Sequence, residues 1–401
     1  MPFESKESVG LSPLLTRILA EIEAEQADPG LTRKTLAVAE LSHLFTKERD
    51  ALGTDYFKNS GLAAAYLSYF FPVNLSKIQM LLDELPEDWQ TTHADRPLKV
   101  LDLGTGPGTG AMAVLDWLNQ HDPGSLKHLT VVAVDASPEA LRQARLLWSS
   151  YSHRIGMGEA SLILREGNLS RPRTNRWHED VVREGPYDLI IVANCLNELF
   201  RKTQDVIKER SGLAEDWLRL LTPHGTLMIL EPALRETSRS LHQVRDHLLQ
   251  ENRCTVYSPC LHERNCPALL DPNDWCHEER AWEAPSWIQQ IDRQVGFIKD
   301  ALKFSYLLLR TDGRTIAQRS PETFRMVSEL RKMKGDTRAW LCNELGRCEV
   351  GRLDRAETDM NSAWDECQRG TIVRIEHITR KDGASLGRIP DRSAVRIVRS
   401  L

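Results

Sequence analysis

Long apolar runs are missing from this 401-residue chain. No stretch reaches the roughly 18 to 20 residues that a membrane-spanning helix needs, and the opening MPFESKESVG is too polar for a secretory or transit segment. These absences lead to the expectation of a cytoplasmic protein with no membrane partner. An excess of positive charge is missing too. Lys and Arg number 52 against 57 Asp and Glu, a formal charge of −5, so no whole-molecule field draws nucleic acid and any such contact needs a local patch. Cysteine is almost absent from the first 250 residues, where Cys195 stands alone. With no export signal, the eight cysteines do not read as a disulfide framework. Paired CxxC motifs are lacking, which removes the strongest argument for a zinc ribbon.

What is present is ordinary globular composition, 41% hydrophobic and 27% charged, enough for two or three domains. Residues 1–95 read as a helical lead-in, because LLTRILAEIEAE and LAAAYLSYFF repeat apolar side chains at three and four. After the polar link PEDWQTTHADRP, short apolar strands alternate with helical stretches over 96–335, the pattern of a parallel sheet with right-handed crossovers. KVLDLG, LTVVAVD, SLILREG, YDLIIVA and GTLMILEP are the expected strands, each apolar throughout as strands buried on both faces are. TVY and FSYLLLR supply two later strands, with a cysteine-rich insert at 254–280 between them. Residues 336–401 change to short alternating segments with glycine-containing turns, a small β domain. Between Arg369 and Leu401 eight basic residues stand against three acidic ones, the one local patch suited to phosphates.

The sharpest motif is VLDLGTGPGTG, residues 100–110, a strand running into a glycine-rich loop that opens a helix. Glycine is needed there because the backbone turns tightly and approaches a ligand with no side chain between. A dinucleotide fingerprint would want glycine at position 109, which is Thr, so the pattern is not that of a nicotinamide cofactor. With Asp102 two residues before Gly104, it resembles the first motif of S-adenosylmethionine-dependent methyltransferases. That resemblance implies a donor site at Asp102, Gly104, Thr105, Gly106 and Gly108, with Asp102 helping to hold the cationic amino group of the methionine moiety. Asp135, ending the second strand, fits the ribose hydroxyls, and Asn168, ending the third, fits the adenine amino group. The fold class expected is therefore α/β: a Rossmann-like seven-stranded methyltransferase fold with a helical lead-in and a small C-terminal β domain. After the fourth strand, ANCLNEL lacks the Asn-Pro-Pro-aromatic signature of amine methylation, and Cys195 lacks the proline that would mark a nucleophile. It reads as a buried structural thiol, and no catalytic residue is nominated. Glu198 and Glu231 read as sheet-edge acids before general bases.

Cys260, Cys266 and Cys276 crowd one segment rich in proline and polar turns, which can fold so that thiolates converge. Three thiolates need a fourth ligand, and spacing alone leaves zinc and iron-sulfur even. Here the chain resembles the methyltransferase-like assembly factors of the mitochondrial small ribosomal subunit and their bacterial relatives. The carriers are LAAAYLSYFFPVNLSKI, VLDLGTGPGTG, YDLIIVANCLNEL, the cysteine run from Pro259 to His277, KFSYLLLR and WLCNELG. The resemblance implies a 4Fe-4S cluster on Cys260, Cys266, Cys276 and Cys342, with Cys254 or Cys348 as substitutes for the fourth ligand and His262 and His277 as neighbours. It also implies small-subunit ribosomal RNA as partner, with the protein a monomer off the ribosome. Two functions follow: a binding factor for ribosome assembly or translation, or an active RNA methyltransferase. A small-molecule methyltransferase with structural zinc is a third.

Overall fold

The computed structural model describes residues 11–25, 30–48, 56–86, 89, 96–156, 161–171, 176–297, 301–381 and 385–400. The opening residues 1–10 and most of the polar link, 87–88 and 90–95, lie outside them. In chain order come helices α1 (Pro13–Glu25), α2 (Gly30–Thr46), α3 (Ser60–Ala65) and α4 (Phe71–Leu82). Strands and helices then alternate: β1 (Leu98–Leu103), α5 (Thr109–His121), β2 (Leu129–Asp135), α6 (Pro138–Arg154), β3 (Ser161–Glu166), α7 (Arg176–Glu184), β4 (Tyr187–Ala193), α8 (Val206–Leu218) and β5 (Leu221–Pro232). There follow α9 (Arg235–Gln250), β6 (Thr255–Ser258), β7 (Glu278–Ala281), α10 (Ser286–Val295) and β8 (Ala301–Arg310). The remaining strands are β9 (Thr323–Met326), β10 (Arg331–Met333), β11 (Asp336–Asn343), β12 (Gly346–Leu353), β13 (Ile372–Ile375), β14 (Gly387–Arg388) and β15 (Val395–Arg399).

The chain forms two compact units: residues 1–199, 220–225 and 281–302 make the first, and 200–219, 226–280 and 303–401 the second. In the first, β3, β2, β1 and β4 lie side by side in that order, all parallel. Val100, Leu101 and Leu103 of β1, and Leu189 to Val192 of β4, are buried, as unbroken apolar runs require when helices cover both faces. The helical lead-in belongs to this unit. Between α3 and α4 the helix widens into one π turn, Tyr66–Phe70. Pro72 explains it: proline has no N–H to give the Ser68 carbonyl and its ring crowds that turn. The Ser68 carbonyl accepts from the Trp287 indole instead, at 2.9 Å. Tyr69, carried inward by the same turn, donates to Asp292.

The second unit holds two sheets. In one, β8 runs antiparallel to β5 and to β6, and β7 also pairs with β8. The other has seven strands, ordered β14-β12-β11-β9-β13-β15 with β10 beside β11, over a core of Met326, Leu341, Val350, Trp364 and Val373. The fold is the expected Rossmann-like α/β type with antiparallel late strands and a C-terminal β sheet. Two details differ from expectation. β7 is an added strand, unread because EERA carries no apolar signal. The C-terminal sheet also takes in β9, so it begins before residue 336. TFRM is four residues long, too short for alternation to announce it.

Candidate functional site

The glycine loop sits at the carboxyl end of β1, in the first unit. The N–H groups of Gly104 and Thr105 both donate to the Val134 carbonyl of β2, at 2.9 and 3.0 Å, so the chain leaves the sheet by turning over its neighbour. Gly104, with φ of 70°, could carry no side chain: a Cβ there would meet the Cys195 sulfur at 2.7 Å. Gly106, with φ of 55°, is different, since nothing lies within 4 Å of its missing Cβ. That open side is where a ligand can approach bare backbone. Asp135 fixes the loop, its carboxylate accepting from the N–H groups of Gly106 and Ser137, each at 2.8 Å. Burial raises its carboxyl above the usual range, and those N–H groups oppose the rise.

Asp102 lies beneath the loop. Its carboxylate accepts from the Thr105 hydroxyl and from the Ala111 N–H at 2.8 Å, tying the loop to the first turn of α5. Burial pushes its carboxyl up to about 6, against those two donors. Asn168 is exposed, its side chain accepting from the Ser170 N–H in a local turn. Cys195 donates to the Leu103 carbonyl at 3.3 Å and packs on Gly104, half-buried rather than fully buried as its sequence context suggested.

Sequence reasoning missed the aromatic wall beside this loop. Tyr56 and Tyr66 pack with Phe57 and Ala63 against Ala140 on the first turn of α6. Phe45, Tyr56, Tyr66 and Phe70 continue the cluster with ring centroids 5.1 to 6.3 Å apart. Burial lifts the Tyr66 hydroxyl to about 12, with Asp135 and Glu198 adding to the rise, which puts this ring near the ends of β2 and β4. An aromatic run inside a helical repeat reads as core, so nothing in the sequence separated the two roles.

In the second unit, Cys260, Cys266, Cys276 and Cys342 line one pocket. Three lie on the insert between β6 and β7, and Cys342 comes from β11 of the other sheet. Burial raises the Cys266, Cys276 and Cys342 thiols, and Cys260 raises each of the three further, so the sulfurs lie within electrostatic reach of one another. Cys276 rises to about 12. The rise of Cys254 traces to burial and then to Glu263, and that of Cys348 is opposed by Arg380, so neither shares this cluster. His262 turns Nδ1 to the Arg264 carbonyl at 3.1 Å and Nε2 to the Cys342 sulfur at 3.7 Å. Burial lowers that ring to about 4, so it is neutral and its Nε2 accepts. His277 stacks on Trp275 and meets Glu279 at 3.0 Å.

The donor set is all thiol, which suits a soft metal or an iron-sulfur cluster. Among the described residues no three His, Cys, Asp or Glu side chains stand at the spacing of a single ion. A tetrahedral zinc would draw four sulfurs to about 2.3 Å around one point. Arg325 adds buried charge to the pocket wall, donating to Glu278 at 2.5 Å and to the Tyr306 hydroxyl at 2.8 Å.

Half of the eight basic residues of the C-terminal stretch meet carboxylates where it folds. Arg369 meets Glu279, Arg374 meets Glu322, Arg388 meets Asp336 and Arg396 meets Glu376. Sequence charge could not show this, because the partners lie up to ninety residues away.

Residues 61–357 match the family described as mitochondrial small ribosomal subunit Rsm22. The chain belongs to this family. The match takes in the aromatic turn, the glycine loop and all four cavity cysteines. No curated protein matches the chain. Among solved structures, an O-methyltransferase family protein from Burkholderia thailandensis is 18% identical over 65% of this chain and 63% of its own, with a TM-score of 0.33. The chain thus spans under two thirds of that protein. The plantazolicin methyltransferase BpumL, in complex with SAH, is 13% identical over 74% of this chain and 99% of its own, TM-score 0.33. The CurJ carbon methyltransferase is 15% identical over 74% and 71%, TM-score 0.35. Scores this low carry no argument about substrate or cofactor. No helix among the described residues is long and apolar enough to cross a membrane.

Proposed function

We propose that this Rsm22-family protein binds S-adenosylmethionine at the loop after β1 and a 4Fe-4S cluster on Cys260, Cys266, Cys276 and Cys342. In this reading it acts in the cytoplasm, as a monomer off the ribosome, on the small ribosomal subunit or its RNA during assembly or translation. The observation that carries the reading is the convergence of three thiols of the insert and one of β11 on one cavity, in a chain whose family is named for that subunit. When bound, the cluster supplies a rigid cross-link and a one-electron centre.

The chain's own residues divide the work. Asp135 and the N–H groups of the loop shape the donor site, and Gly106 leaves its floor open. The four thiols, once deprotonated, hold the cluster, and the buried Arg325 offsets part of its negative charge. Binding rather than catalysis is favoured at the donor site. Cys195 is packed under Gly104 with its thiol turned to a carbonyl, and Asp102 is committed to the loop.

The test combines cross-linking to RNA in cells with purification free of oxygen. Small-subunit RNA among the cross-linked fragments, iron and acid-labile sulfide in the brown protein, and little methyl transfer to naked RNA are expected. Zinc in place of iron, or robust transfer to purified RNA by the protein alone, would overturn the corresponding part.

A further inference from the structure

Behind the wall of the cysteine cavity lies Arg245 on α9, with none of its side chain exposed. A buried guanidinium needs partners in proportion to the hydration it gives up. Arg245 finds them along the cysteine insert: it donates to the His262 carbonyl at 2.6 Å, to the Arg264 carbonyl at 2.9 Å and to the carboxylate of Asp246 at 2.5 Å. Asp246 in turn accepts from the Cys266 N–H at 2.9 Å. Two adjacent residues of one helix therefore grip the loop between Cys260 and Cys266 by two carbonyls and one N–H.

Among the described residues the buried Nε–H of Arg245 meets no acceptor. Burial works against the charge of Arg245, but Cys260, Asp246 and Cys266 outweigh it and hold the guanidinium firmly protonated. A cluster on four thiolates carries net negative charge, and a fixed cation nearby favours it, most of all after it gains an electron.

We infer that Arg245, with Asp246, is a positioning residue of the cysteine site, holding the Cys260–Cys266 loop in its ligating form and supplying the bound cluster with a buried positive charge. The inference rests on the iron-sulfur reading above. Arginine suits the task better than lysine, since only its planar fork can reach two carbonyls and a carboxylate together.

The test uses the full chain, loaded with iron and sulfide without oxygen, as wild type, R245K and R245Q. Iron and sulfide per chain are measured, together with the cluster's midpoint potential in a dithionite titration followed by electron paramagnetic resonance. R245Q should lose more than half its iron, and the remaining cluster should reduce at a lower potential than wild type. R245K should recover most of the potential, because charge is restored, but less of the iron, because the loop grip is not. A merely structural role would leave the potential of the loaded fraction unmoved, and R245Q with wild-type potential overturns the inference. Should R245Q fail to fold, R245K decides: wild-type iron retention in it rejects the grip. A wild-type chain that takes up no iron and sulfide removes the cluster reading itself, a result distinguishable from either.

Discussion

The glycine loop and the cysteine cavity are built in opposite ways. The loop is contiguous: the eleven residues 100–110, with the fixed geometry of a strand end and a helix start, make most of it, and two further strand ends complete it. Its groups are satisfied by the backbone beside them. The cavity is assembled from a loop, a second loop segment and a strand of another sheet, and the thiols lift one another's pKa values in burial. A contiguous site is preformed and tolerates the loss of what binds it. An assembled all-thiol site has paid desolvation without recovering it, so its stability leans on what fills it.

That contrast can be broken most decisively at the cavity. Cys342→Ser should strip the cluster, lowering metal affinity by about 10-fold to 100-fold or more, and should loosen the C-terminal sheet while S-adenosylmethionine still binds. Metal analysis, hydrogen exchange on β11 and β12, and calorimetry read the three arms. Cys348→Ser should change none of them. If Cys348→Ser loses the cluster and Cys342→Ser keeps it, the fourth ligand is misassigned.

The loop offers the converse. Gly106→Val puts a branched side chain into the open floor at a positive φ, and should weaken S-adenosylmethionine binding by about a hundredfold, near 3 kcal/mol, with iron content unchanged. Calorimetry showing wild-type affinity would remove the donor site from this loop.

A finer test uses Asp102, whose carboxyl burial holds at about 6 against the ordinary 3.8 of aspartate. The folded state thus binds the proton more tightly than the unfolded one. Its stabilising effect is complete below the lower value and is lost as pH rises through about 6. Wild type should lose up to about 3 kcal/mol relative to Asp102→Asn between pH 4 and pH 7, and nothing more above that. Thermal unfolding of both proteins across this range would reveal it, and parallel curves would show the carboxyl unshifted.

Much of this was legible beforehand, and for stated reasons. The four parallel strands announced themselves as short apolar runs, and VLDLGTGPGTG because a tight turn over a ligand demands glycine at fixed offsets. The place of Asp135 beside the loop was readable because a strand end is a fixed place. The inward turn of Asp102 was not, since its partners Thr105 and Ala111 are chosen by loop geometry rather than by residue type. The basic tail was only partly legible for a related reason: charge is counted along the chain but paired across it, as Arg388 is with Asp336.

Sequence by itself therefore determined the alternation of strands and helices, the glycine turn, and a store of cysteines set late in the chain, all local matters of periodicity, backbone freedom and composition. Only the tertiary structure decided that Cys342 lines one pocket with Cys260, Cys266 and Cys276, that Arg245 holds the loop between the first two, and that Tyr56 and Tyr66 pack on the start of α6. Those choices depend on which surfaces pack together when apolar area is buried, and burial is a property of the whole fold that no window of residues contains.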